Sequence, residues 1–241
     1  MKKIIFIFAA ISLIACLSSC ASSKNVDSDS PADAVMRSVD KTTATSRNPD
    51  AIEAFNQGAA LLDEEQYLDA EFYLRMAIDY DDTYIDAYDY LGMVLRRLGE
   101  TDEAIDILKK SINMDSINIV PYNSLAIAYL DKGDYKNALK TCDDAIINIP
   151  DCADGYYQKG MILMNQEKYK DAAACLEKAY SMYRKSMDEQ FYEAAYSLGS
   201  CYYELKDWKK AVRYLEIAMK QFPDDEHLKE FFDSAKKNQK K

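Results

Sequence analysis

Histidine is almost missing: His227 is the single copy among 241 residues. One copy makes no histidine-pair metal site, and nothing in the chain completes a Ser/His/Asp arrangement around it. Seven glycines and five prolines are few. That scarcity suits a helical chain, and no glycine-rich loop is left to cradle a phosphate. The six cysteines include no CxxC pair. Cys142, Cys152, Cys175 and Cys201 lie beyond the N-terminal segment, at no spacing that pairs adjacent helices. Where they fall inside helices they read as small hydrophobes. Basic residues number 30 against 41 acidic ones, a net charge of −11. A nucleic-acid binder needs the opposite, a basic stripe that displaces counterions. Acid pairs such as Glu64-Glu65, Asp81-Asp82 and Asp143-Asp144 fall in turns or on solvated faces. No pocket is evident there to shift a carboxylate for catalysis. The residues therefore point to no cofactor, no metal, no catalytic constellation and no enzyme.

What is abundant is a recurring small residue. Ala70, Ala104, Ala138 and Ala172 are each 34 residues apart, and Ala211 follows after 39. Gly58, Gly92, Ala126, Gly160 and Gly199 keep step, as do Ala77, Ser111, Ala145, Ala179 and Ala218. A period of this length in several columns is a helical hairpin written five times. Antiparallel helices approach closely where a side chain is small, and larger residues such as Tyr88, Leu91 and Leu95 fill the space between. The predicted architecture is all-α: one elongated α-solenoid in which each unit touches its neighbours. Asn48-Pro49 reads as a helix start. Turns are expected near 63–66, at Gly99 and at Gly133. Five extra residues fall within 181–191, so the helices flanking them should be long. Leu228, Phe231, Phe232 and Ala235 make one apolar stripe, which predicts a capping helix over 225–239.

These columns resemble the tetratricopeptide repeat. That family has a bulky residue fourth, small residues at eight, twenty and twenty-seven, and proline at thirty-two. The match gives units over residues 51–84, 85–118, 119–152, 153–191 and 192–224, within a repeat region of 49–224. Residues 225–241 form the cap and tail. Ala54 and Ala195 stand where a bulky residue is usual, and Asp82 and Ser116 replace proline. Such a scaffold implies a fold and leaves function open.

At the start, Lys2-Lys3 precede an apolar run over 4–17. About twenty apolar residues are needed to span a bilayer, so residues 1–20 read as a secretory signal. Leu17-Ser18-Ser19-Cys20 resembles a lipobox, which implies lipid attachment at Cys20 and a mature net charge of about −13 by the same residue count. Cys16, after Leu13-Ile14-Ala15, is the alternative. Residues 21–48 are polar and read as a flexible tether with a span of about 30 Å. Ser30-Pro31 suits the start of a short helix over 32–39.

In the repeat family the first helices line the concave face. Carried over position by position, the partner groove is Phe55, Asn56, Tyr90, Met93, Arg96, Arg97, Asn123, Tyr157, Met161, Met164, Tyr196 and Tyr203. This face is rich in tyrosine and methionine, residues of large or adaptable contact area. The same positions also serve packing between units. The lysine- and asparagine-lined clamp that holds acidic chaperone tails is represented only by Asn56 and Asn123, so that ligand is not expected. The sequence reads as a bacterial envelope lipoprotein, anchored by its N-terminal lipid, with the outer membrane's periplasmic face the expected site. Its repeats would bind a protein or peptide and scaffold a complex. Outer-membrane assembly and pilus-secretin pilot lipoproteins share that layout. The alternative is an accessory small-molecule-binding protein of an uptake system, with ligand held between the helices.

Overall fold

The computed structural model describes residues 46–240. Among these the elements are all α-helices, with no strand: α1 (Pro49–Asp63), α2 (Tyr67–Tyr80), α3 (Ile85–Leu98), α4 (Thr101–Met114), α5 (Ile119–Asp131), α6 (Tyr135–Asn148), α7 (Asp154–Asn165), α8 (Tyr169–Ser186), α9 (Gln190–Glu204), α10 (Trp208–Ala218) and α11 (Glu226–Gln239). The signal, Cys20, Cys16 and the helix expected over 32–39 lie outside the described residues. The chain divides into two compact units, one ending at Asp115 and the other starting at Ser116. The sequence suggested one unbroken domain; each unit is a stack of hairpins in its own right.

The described chain begins tied down. Ser46 Oγ donates to Asp81, and Asn48 Nδ2 donates to the Tyr80 carbonyl at 2.8 Å. Residues 46–48 therefore belong to the first hairpin and not to a free tether. Asn48 caps α1 by accepting from the amides of Asp50 and Ala51, and Pro49 has no amide hydrogen to leave unpaired. Asn118, Asp134, Asp207 and Asp225 cap later helices in the same way.

In the first unit α1 packs on α2, α2 on α3 and α3 on α4. Ala70, Leu74 and Ala77 of α2 share one buried cluster with Ala87, Leu91 and Val94 of α3. In the second unit the order α5 to α11 repeats the pattern. There Ala172, Leu176 and Ala179 of α8 are buried with Ala194, Leu198 and Cys201 of α9. Within four hairpins a leucine sits directly over the first helix's glycine. A Cβ added to Gly58, Gly92, Gly160 or Gly199 would lie 2.5–2.7 Å from Cγ of Leu74, Leu108, Leu176 or Leu215. The middle hairpin has Ala126 instead, and at the leucine's position the smaller Cys142.

Each hairpin turns through one left-handed residue at the same repeat position: Glu65, Gly99, Gly133, Glu167 and Lys206, with φ between 58° and 87°. Where proline is missing between units, a tyrosine ties the loop. Tyr88 donates to the Asp82 carbonyl at 3.1 Å, and Tyr122 to that of Ser116 at 3.2 Å. The extra residues extend α8 to 18 residues, ending on left-handed Met187. In its added turn Tyr183 is buried and donates to Asp154, and just before it the Tyr180 ring meets Phe191 and Tyr214 edge-on at 6.2 and 5.5 Å. α11 lies on α10 with Leu228 and Ala235 fully buried.

Candidate functional site

The expected groove residues divide into those the core absorbs and those that stay accessible. In the first unit Phe55 is 2 % exposed. Its ring meets Tyr84 and Tyr90, each at 5.0 Å. Met93 is buried as well. Both are core residues, and Phe55 fills the crossing of α1 and α3 against the Tyr90 ring. Asn56 and Arg97 are exposed, and Tyr90 and Arg96 half-buried. Burial pushes the Tyr90 hydroxyl up to about 12, and Asp63, Asp86 and Asp89 add to the shift. This tyrosine is therefore a neutral donor at any physiological pH.

In the second unit Asn123 is buried. Tyr157 is half-buried, edge-on to the buried Tyr183 at 6.3 Å, and Tyr183 donates to the buried Asp154. Ser197 Oγ of α9 donates to the Met161 sulfur of α7 at 3.5 Å. Tyr157 and Met164 flank Met161 at i−4 and i+3 and so share its face, and Tyr196 adjoins Ser197. All four are half-buried. Burial, with Asp225 nearby, pushes the Tyr196 hydroxyl up to about 12. Tyr203 is committed elsewhere. Its hydroxyl shares a 2.7 Å hydrogen bond with Ser234, and its ring lies 5.3 Å from Trp208 and 4.9 Å from Phe231. The accessible surface that emerges in this unit is Tyr157, Met161, Met164 and Tyr196, an apolar patch with polar tips.

Two carboxylates are buried, Asp89 and Asp154. Asp89 accepts from Ser111 Oγ at 2.5 Å, and Asp154 holds Tyr183. For Asp89 the sequence carries a signal: Ser111 interrupts an otherwise all-alanine column. An open depression of about 540 Å³ lies along α1, lined by Pro49, Ile52, Glu53, Asn56, Gln57 and Ala60. Only Asn56 was expected there. The repeat explains it. At the positions of Glu53, Gln57 and Ala60, α3 has Ala87, Leu91 and Val94 and α9 has Ala194, Leu198 and Cys201, all buried in their units' cores. On α1 those positions are polar or small and lie open.

The free thiols are poor nucleophiles. Burial, with Asp143, pushes Cys142 up to about 12. Burial, with Glu204, does the same to Cys201, and burial also raises Cys175. A protonated thiol does not attack. Among the described residues no group of three or more His, Cys, Asp or Glu side chains could hold a metal ion, and no helix is long and apolar enough to cross a membrane.

The tetratricopeptide repeat family matches residues 85–114, 121–147 and 157–226. The Homo sapiens protein O-mannosyl-transferase TMTC3 is 30% identical over 196 residues. The match takes in 77% of this chain, which spans only 20% of that protein's length. A thermophilic tetratricopeptide repeat protein of Thermus thermophilus superposes with TM-score 0.60 at 21% identity, over 77% of this chain and 98% of that one. One from Parabacteroides merdae gives 0.60 at 18%, over 79% and 73%. YrrB, described as a repeat protein with an unusual peptide-binding site, gives 0.52 at 21%, over 85% and 98%. At such identities the likeness is one of fold. The period of 34, the five hairpins and these matches agree: the chain carries tetratricopeptide repeats, and its described part is an α-solenoid of them.

Proposed function

We propose that this protein is a non-enzymatic, lipid-anchored component of the bacterial envelope whose repeats bind a protein or peptide partner and scaffold a complex. The observation that carries the reading is the patch on α7 and α9. Tyr157, Met161, Met164 and Tyr196 keep part of their surface accessible at concave-face positions, where an acidic chain would otherwise place solvated charge. Tyrosine and methionine offer large contact area at low ordering cost. The fold supports it too, since a protein of the same fold, YrrB, is described as having a peptide-binding site. The lipobox-like residues 17–20 support an anchor at Cys20.

The test has two parts. Partners are recovered by a lipid-retaining pull-down from envelope extract. Affinity for the recovered partner is then measured with the parent and with Tyr157→Ala/Tyr196→Ala, after helicity confirms folding. Loss of about tenfold or more in affinity is expected, since truncating a tyrosine hot spot costs about 2 kcal/mol. Unchanged affinity overturns the patch as the binding site. Cys20→Ser should release the protein from membranes; continued sedimentation with them overturns the anchor.

A further inference from the structure

We infer that the outer face of α2 is a second docking surface, shaped for a basic amphipathic segment of a protein partner. Leu68 is 73% exposed and Phe72 60%. One helical turn apart on α2, they stand side by side. The chain supplies its own comparison. At the position of Leu68 the other four hairpins carry Asp102, Lys136, Lys170 and Lys209, and at that of Phe72 they carry Asp106, Lys140, Ala174 and Arg213. All eight are exposed. The position is thus a solvated one in every hairpin, and only the first fills it with large apolar side chains. Single exposed apolar residues are ordinary, whereas adjacent ones at sites otherwise held by charge mark an interaction surface.

Charge indicates what covers it. Residues 46–115 hold 17 acidic and 6 basic side chains, a net −11, whereas 116–241 hold 20 and 19. The whole net charge of the protein is concentrated on the unit that bears the ridge. Glu64, Glu65, Asp69 and Glu71 surround Leu68 and Phe72 along the chain, and Asp102, Glu103 and Asp106 lie on α4 of the same unit. The nearby cation Arg75 is already held, with Glu71 at 2.8 Å and Glu103 at 2.7 Å. An apolar anchor ringed by acid fits a helix that presents leucine-like side chains between lysines or arginines. It disfavours an acidic partner and an anionic membrane. This surface is separate from the patch on α7 and α9 and does not depend on it.

The experiment uses a fluorescently labelled 14-residue amphipathic peptide of leucine and lysine, with a leucine–glutamate peptide of the same pattern as control. Anisotropy is read against the full-length protein at two salt concentrations. The lysine peptide should bind, more weakly at high salt, and the glutamate peptide should not. The decisive variant is Leu68→Asp/Phe72→Asp, which copies the residues of the second hairpin and makes the surface more acidic. Binding through charge alone would be kept or strengthened; binding through the ridge should fall about tenfold or more. Tyr157→Ala/Tyr196→Ala should leave this binding unchanged. The inference is overturned if the aspartate variant binds the peptide as tightly as the parent, or if the parent does not bind it. It is also overturned if sedimentation shows that the parent dimerises through this face and the variant does not, which would assign the ridge to a second copy.

Discussion

At the scale of single residues, the repeat contains an experiment already performed. Four hairpins pair a first-helix glycine with a second-helix leucine, and the middle one pairs Ala126 with Cys142. The added methyl is matched by a smaller partner, as close packing requires. Gly92→Ala should therefore destabilise, although alanine favours a helix by about 1 kcal/mol. A methyl there meets both Cγ and Cδ2 of Leu108 at 2.5 Å, and overpacking costs about 1–3 kcal/mol. Leu108→Cys alone should also destabilise, by about 2 kcal/mol, through the cavity it leaves. Combined, the two changes should cost clearly less than their sum, since residues in contact couple by about 0.5–3 kcal/mol. Urea unfolding of the four proteins gives the coupling directly. Strict additivity would mean that Gly92 and Leu108 do not share the crossing.

At the scale of elements, helix positions were legible because a 34-residue period repeats every signal. Asn48-Pro49, Gly99, Gly133 and the stripe from Leu228 to Ala235 fall where helices begin, turn or close the core. The turns at Glu167 and Lys206 were not legible, since neither residue advertises a left-handed backbone; only their register with Gly99 and Gly133 does. The groove was legible in part. Helical position says that Phe55 and Tyr157 share a column, but not that the rings of Tyr84 and Tyr90 would bury Phe55. Burial of a column differs from hairpin to hairpin because the neighbouring side chains differ in size. The turns also yield a prediction. A non-glycine residue in the left-handed region carries about 1–2 kcal/mol of strain, partly offset because glycine loosens the unfolded chain by about 0.4–1 kcal/mol. Lys206→Gly, at φ 58° and on an exposed turn, should raise stability by roughly 0.5–1 kcal/mol on that balance. Thermal melts showing a lowered midpoint would mean that the lysine side chain holds the turn by some other contact.

At the scale of the whole molecule, charge is partitioned, and pH acts on the partition. The first unit carries a net −11, and one of its carboxylates is already reluctant to ionise. Burial, with Asp115 nearby, pushes Asp86 up to about 6 from an ordinary 3.8, and Asp86 Oδ2 is buried without a hydrogen-bond partner. Folding therefore binds this proton more tightly than the unfolded chain does. The stability it contributes is complete below about pH 4 and is lost as pH rises through about 6. Asp81 works in the opposite sense. Hydrogen bonds, first from Ser46 and then from Thr83, lower its pKa. Its contribution is lost only as pH falls below the ordinary carboxylate range, outside this window. Acidification from pH 7 to 5 should thus stabilise the protein. The full shift corresponds to about 3 kcal/mol and is reached only below about pH 4; less than half of it is gained between pH 7 and 5, and solvent screening at a half-buried side chain brings that step to about 0.5–1 kcal/mol. Asp86→Asn should be more stable than the parent at pH 7 by the screened full shift, about 1–2 kcal/mol, and should flatten the slope between pH 4 and 6. Far-UV circular-dichroism melts across that range decide it. If the asparagine variant keeps the parent's pH slope, the response arises from the collective repulsion of the acidic unit and Asp86 is not its source.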